Sequence, residues 1–299
     1  MSTTSRDDTR GVGLVLLSTI AFAVLPILGK AAYAAGVRPL PLLAWRYTIA
    51  TLLLGLLLRG PAPEWGTRLR LWAIGVVFVG NSLAYFLALR SVSASTVALL
   101  LYSYPVIVAL LAAAAGLERL TLRSLLAALL AFGGCALTAA GGSGMGSVLD
   151  AGPGVAFALL AAFVYASYLV LVGRFAPGVP APLLAQHLAQ ASAAACIMLA
   201  LATGGLALPP TPRAWLPVVG IAVVSTVAAL QLFLAGMALL GPTRASVLSA
   251  VEVVMTLLLA AALLGERLGR WQWLGAALIL GAVALQSVGA LRRLARPRG

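Results

Sequence analysis

Pro39-Leu40-Pro41-Leu42-Leu43-Ala44-Trp45-Arg46 and Pro180-Ala181-Pro182-Leu183-Leu184-Ala185-Gln186-His187 are two versions of one phrase, set 141 residues apart, and each opens an apolar run. A second pair repeats the relation. Glu118-Arg119-Leu120 and Glu266-Arg267-Leu268 each close an apolar run and stand 148 residues apart. Behind those glutamates, Gly133 aligns with Gly281. The chain therefore reads as a duplicated unit, residues 11–141 against 153–291, joined by a Gly-rich linker over 142–152 that carries no basic residue.

What each unit contains follows from composition. Of 299 residues, 62% are hydrophobic and 9% are charged, where a soluble domain needs roughly a quarter charged. Such a chain cannot cover itself with polar surface, so the bilayer must be its solvent. About 20 apolar residues cross a bilayer as a helix. Ten such runs are present, at 11–35, 40–58, 71–90, 93–115, 121–140, 153–173, 182–203, 214–238, 243–264 and 271–291. Between them fall Arg38-Pro39, Arg59-Gly60-Pro61-Ala62-Pro63, Gly178-Val179-Pro180, Pro209-Pro210-Thr211-Pro212 and Gly241-Pro242, the punctuation of short loops. The expected fold is an all-α integral membrane bundle of ten transmembrane helices.

The net charge of +13 does not indicate nucleic acid. The basic residues stand singly or in small groups between apolar runs, as in membrane loops, where Lys and Arg mark the cytoplasmic side. With the N-terminus inside, the inner loops hold Arg6, Arg10, Arg59, Arg68, Arg70, Arg119, Arg123, Arg174, Arg244, Arg292, Arg293, Arg296 and Arg298. The outer loops hold Lys30, Arg38, Arg90, Arg213, Arg267 and Arg270, and Arg46 lies within a span. Residues 1–10 and the basic segment 292–299 are thus expected as cytoplasmic tails. The first run is too long for a cleavable signal segment and reads as the first span. Cys135 and Cys196 sit in apolar runs without metal-ligand spacing and read as packing residues. Because five is odd, the second unit enters the membrane from the opposite side, the inverted-repeat plan of carriers whose substrate sits near the midplane.

Polar groups at membrane depth are expensive and face a cavity or a partner. Glu252 stands near the middle of the ninth run; its roles are to bind an ammonium, to carry a proton, or to pair with a neighbouring helix. Arg46, in the outer half of the second run, attracts a carboxylate or snorkels. Its repeat equivalent, His187, titrates near neutrality or packs in its helix, with Gln190 on the same face. Asn81 and Tyr85 share a face of the third run, and Tyr165 and Tyr168 share one of the sixth. Tyr102 and Tyr104, two residues apart in the fourth, are expected to point to different faces; Gln231 lies deep in the eighth. These tyrosines lie deeper than an interfacial belt and either line a cavity suited to amphipathic or aromatic solutes or pack helices. Pro26 and Pro105 fall inside runs, where a proline kinks a helix, statically or as a hinge. Glu118 and Glu266 read as structural charges at helix ends.

With these features in view, the chain resembles the drug/metabolite transporter superfamily, specifically its bacterial ten-helix EamA type. The resemblance spans nearly the whole chain. It rests on Leu42-Leu43-Ala44-Trp45-Arg46-Tyr47, on Ala94-Ser95-Thr96-Val97-Ala98-Leu99-Leu100 through Pro105 to Gly116-Leu117-Glu118-Arg119-Leu120-Thr121, and on Ala245-Ser246-Val247-Leu248 through Glu252 to Leu264-Gly265-Glu266-Arg267-Leu268. Departures are Glu252-Val253 where the family often has Glu-Pro, Tyr104 before Pro105, and His187 opposite Arg46. The resemblance implies a central cavity, alternating access, a bacterial inner membrane, and export of amino acids (aromatic or neutral) or related metabolites, with multidrug efflux as the alternative. No Walker motif is present, so no ATP site is expected, and no cofactor. An intramembrane enzyme would need paired aspartates, a Ser/His set or a zinc run. Asp occurs only at positions 7, 8 and 150, outside the spans, so an enzyme is not expected. A channel would want a polar pore stripe, which the runs do not show.

Overall fold

The computed structural model describes residues 3–57, 63–114, 122–141, 152–176, 178–204, 206–240, 245, 248–249, 251–265 and 267–294. Glu118, Glu266, most of the 142–152 linker and the last residues of the basic tail lie outside them. Every regular element among the described residues is helical. In chain order these are α1 Thr3–Ala23, α2 Leu25–Ala34, α3 Pro39–Leu57, α4 Trp65–Ser91, α5 Ala94–Leu101, α6 Tyr104–Ala114, α7 Leu122–Gly141, α8 Gly152–Phe175, α9 Ala181–Ala202, a short 3-10 turn Pro212–Ala214, α10 Trp215–Gly220, a π-helical segment Ile221–Ala228, α11 Ala229–Leu240, α12 Val251–Leu264 and α13 Arg270–Leu294.

Among the described residues six stretches are long and apolar enough to cross a membrane: Thr9–Ala34, Pro39–Leu57, Trp65–Ser91, Gly152–Phe175, Ala181–Ala202 and Pro212–Leu239. Shorter apolar helices run over Thr96–Leu111, Leu125–Gly134 and Met255–Leu264. Large apolar side chains stand exposed on the surface. Leu56 and Leu216 are each 79% exposed and Phe132 is 75% exposed. Water would penalise side chains like these on every flank of a bundle, whereas lipid does not.

Apolar residues gain nothing by leaving lipid for one another, so close backbone approach must hold the helices together. Buried alanines fill the seams: Ala158, Ala161, Ala162 and Ala166 on α8, and Ala185, Ala189 and Ala193 on α9. Against α4, α8 runs antiparallel. Gly154 meets Ser91 and Val92, Gly80 faces Val164, and Asn81 Nδ2 donates to the Ala161 carbonyl at 2.9 Å. In the same way α9 runs antiparallel to α3, with Gln186 beside Gly55 and Trp45 Nε1 donating to the Ala207 carbonyl at 3.0 Å. The first span meets the eighth through Val15 and Gly236, Ala21 and Ser225, and Leu28 and Gly220. The pair α7 and α13 meets at Gly134 against Gly275 and Ile279, and at Ala127 and Ala131 near Ala282. A Cβ on Gly134 would lie 2.9 Å from the Gly275 carbonyl oxygen, whereas Gly133 and Gly281 have open space. The close approach is therefore made one residue beyond the glycine that the repeat aligns.

Three runs that read as uninterrupted spans are not regular. The first breaks at Val24, between α1 and α2, just before Pro26. The fourth breaks at Tyr102-Ser103, just before Pro105. The eighth widens into the π-helical segment over Ile221–Ala228. At the other margin, α1 reaches back to Thr3, into the stretch expected as a polar tail.

Candidate functional site

Two of the irregular points converge. A proline cannot donate to the carbonyl four residues before it. Those residues are Phe22 for Pro26 and Leu101 for Pro105, and both line a single internal cavity. It is walled by Phe22 and Leu25; Arg46; Phe78, Asn81, Ser82, Tyr85 and Phe86; Leu101, Tyr102 and Tyr104; Tyr165; Leu230 and Phe233; and Ser249 and Glu252. Seven segments of the chain thus contribute. The cavity offers about 80 Å³ to the centres of water-sized solutes.

One wall carries the positive charge. Arg46 is 4% exposed, so it does not snorkel to an interface. Its guanidinium carbon lies 4.8 Å from the Tyr47 ring centroid and 5.7 Å from that of Phe86, within cation–π range. Its Nε donates to Thr226 Oγ1 at 2.7 Å. Among the described residues no carboxylate pairs with it. Tyr47, beside it in sequence, shares a hydrogen bond with Ser82.

Another wall carries the carboxylate. The Tyr102 hydroxyl lies 2.9 Å from Glu252 Oε2 and within hydrogen-bond distance of the Ser249 carbonyl, its one proton shared between the two acceptors. Tyr104 and Ser249 hydroxyls lie 3.1 Å apart. The rings of Tyr102 and Tyr104 have centroids 5.5 Å apart, so both face the cavity rather than opposite sides of a helix. The cause is the interruption between α5 and α6: the turn at Tyr102-Ser103 removes the roughly 200° that two helical residues would impose. Tyr165 packs edge-on against Tyr104 at 4.8 Å.

Other polar residues of the spans stand elsewhere. Tyr168 lies behind the wall, stacked on Tyr165 at 5.7 Å and tilted against Phe78 at 4.9 Å, and its hydroxyl has no hydrogen-bond partner among the described residues. His187 is buried and its Nδ1 lies 2.8 Å from the Leu183 carbonyl one turn back. Gln190 accepts from Trp72 Nε1 at 3.3 Å, while Gln231 is half-buried on α11. None of these four lines the cavity. Ser82, Ser249 and the seven phenylalanine and leucine walls were not singled out by sequence reasoning. Phe22 and Leu101 carried a signal all the same, four residues before an internal proline. Among the described residues no group of three or more His, Cys, Asp or Glu side chains gathers to hold a metal.

Apolar-surfaced helices around a cavity lined by a guanidinium, a carboxyl group and phenols define a multi-pass membrane protein with a small-molecule site. The model of the EamA-like transporter family matches twice, over residues 9–140 and 152–288, and the chain belongs to this family, within the drug/metabolite transporter superfamily. It is 32% identical over 284 residues to the uncharacterized transporter YcbK of Bacillus subtilis (strain 168), covering 90% of each chain. A solved crystal structure with 23% identity superposes with a TM-score of 0.69, over 96% of this chain and 99% of that one; it speaks to the fold. The protein is accordingly a membrane transporter.

Proposed function

We propose that the protein is a secondary transporter that exports neutral or aromatic amino acids, or closely related metabolites, across a bacterial inner membrane by alternating access. The observation that carries this reading is the charge arrangement: Arg46 and Glu252 belong to one tyrosine-lined cavity. An α-amino acid carries a carboxylate and an ammonium, the two groups that a guanidinium and a carboxyl group recognise. Phenol and phenyl walls then accept its side chain. The cavity's about 80 Å³ falls short of the roughly 300–1,000 Å³ typical of drug-sized sites, which favours a small metabolite over a bulky drug.

For the architecture we propose ten spans in two inverted five-helix halves, with both termini cytoplasmic. The antiparallel seams support it. First pairs with eighth, third with sixth, second with seventh and fifth with tenth; Tyr102 on the fourth reaches Ser249 and Glu252 on the ninth. Adding five to each span number exchanges the first two pairs and maps each of the others onto itself. A two-fold axis in the membrane plane between the halves requires that closure.

Counterflow into proteoliposomes tests the reading. Vesicles preloaded with unlabelled L-phenylalanine or L-leucine should take up the labelled amino acid saturably, faster than empty vesicles. Failure across the amino acids, with uptake of bulky amphipathic cations instead, would replace this substrate class with multidrug efflux. In the same vesicles Glu252→Gln separates two roles of the carboxylate. A proton carrier loses the pH dependence of exchange when substituted; an ammonium ligand raises KM and leaves the pH profile as in wild type.

A further inference from the structure

The eighth span is π-helical for eight residues, Ile221–Ala228, and nothing in its apolar sequence demands that. A π-helix widens the backbone to i→i+5 bonding and is found mostly as short insertions at functional sites. The segment turns Thr226 toward Arg46. The Thr226 hydroxyl donates to the Ile221 carbonyl five residues back, at 2.9 Å, and accepts from Arg46 Nε at 2.7 Å. Its polarity is thereby set. The single hydroxyl proton is committed to the backbone, so a lone pair faces the guanidinium. Beside it, Ser225 Oγ donates to the Ala21 carbonyl of α1 at 2.9 Å, which ties the segment to the first span one residue before Phe22 and three before the break at Val24.

The consequence falls on Arg46. A guanidinium has five N–H donors in a planar fork. Thr226 holds the Nε corner, and the rings of Tyr47 and Phe86 flank the plane at 4.8 and 5.7 Å from Cζ. The terminal edge, with both Nη atoms, is the part that can pair with a carboxylate in two parallel hydrogen bonds. We propose that Thr226 is a positioning residue: through the π-helical segment it fixes the Arg46 fork and so sets the carrier's preference for solutes that bear a carboxylate. This rests on the reading of Arg46 as the carboxylate site, and it adds a residue that touches no substrate and lies outside the cavity lining.

The test compares Thr226→Ser with Thr226→Ala, variants that differ by one oxygen atom, alongside Arg46→Gln. Binding of L-phenylalanine and of phenethylamine, the same molecule without its carboxylate, is measured on the purified full chain by isothermal titration. Wild type should favour L-phenylalanine. Thr226→Ala should weaken L-phenylalanine roughly tenfold or more, the size of a lost hydrogen bond to a charged group, while phenethylamine changes little. Thr226→Ser should recover most of the preference, which loss of packing alone would not produce. Should Thr226→Ala match wild type while Arg46→Gln loses the preference, the positioning role is overturned and the Arg46 site stands. Should Arg46→Gln also keep the preference, or wild type show none, the reading of Arg46 falls and the role of Thr226 with it. A variant that fails to fold is replaced by Thr226→Val, which keeps the side-chain shape.

Discussion

Tyr102 and Tyr168 are both buried phenols, and their hydroxyls are in opposite circumstances. The Tyr102 proton is shared between Glu252 and the Ser249 carbonyl, whereas the Tyr168 hydroxyl has no partner among the described residues. Removing a hydroxyl that satisfies a buried acceptor costs about 1–3 kcal/mol, while removing an unpartnered one is neutral or stabilising. Tyr102→Phe should therefore lower thermal stability in detergent by an amount in that range, and Tyr168→Phe should leave it level or raised; equal losses would contradict the hydrogen bonding described here. The same contrast explains what single residues disclose in a sequence. Arg46 and Glu252 are conspicuous because a charge in an apolar run is expensive and needs a reason. Thr226, Ser82 and Ser249 are silent because a hydroxyl satisfies itself on its own helix at little cost. Nothing in the run Ile221-Ala222-Val223-Val224-Ser225-Thr226 says that one hydroxyl serves a distant arginine.

At the level of helices, the bilayer makes existence easy to read and regularity hard. Long apolar runs must be helical because lipid offers backbone groups no other partner. The interruptions at Val24 and at Tyr102-Ser103 are advertised only by the prolines that follow them, and the π-helical stretch by nothing at all. A register error follows. Two tyrosines expected on different faces share a cavity because a turn separates their helices. The close approach of α7 to α13 falls at Gly134, one residue beyond the glycine that the repeat aligns. Gly134→Ala would press a Cβ to 2.9 Å from the Gly275 carbonyl oxygen, whereas Gly133→Ala meets open space. Overpacking of this kind costs roughly 1–3 kcal/mol. Thermal unfolding should therefore separate two substitutions one residue apart, with Gly134→Ala clearly destabilised and Gly133→Ala unchanged or slightly better. If both are tolerated, α7 and α13 do not pack as described.

Across the whole molecule, the odd number of spans proposed for each half has a consequence that can be measured at two arginines. Arg70 lies near the start of α4, the third span, and Arg213 in the short 3-10 turn that leads into the eighth, its counterpart under the repeat; both are exposed. Five crossings separate them in an inverted arrangement, so they must stand on opposite sides of the membrane. An even number of crossings would put them on one side. The bias of basic residues toward one set of loops assigns Arg70 to the cytoplasm and Arg213 to the outside. The chain's two cysteines, Cys135 and Cys196, can be replaced by serine to give a silent background, since the one whose surroundings are described, Cys196, is buried and free of disulfide. In that background, Arg213→Cys should react with a membrane-impermeant maleimide on intact cells. Arg70→Cys should react only after the membrane is permeabilised. The reverse pattern would keep the inverted halves and turn the molecule over in the membrane. Labelling of both positions from one side would mean an even number of crossings between them, and the two-fold relation inferred from the helix seams would then have to be abandoned along with any mechanism in which the halves exchange conformations.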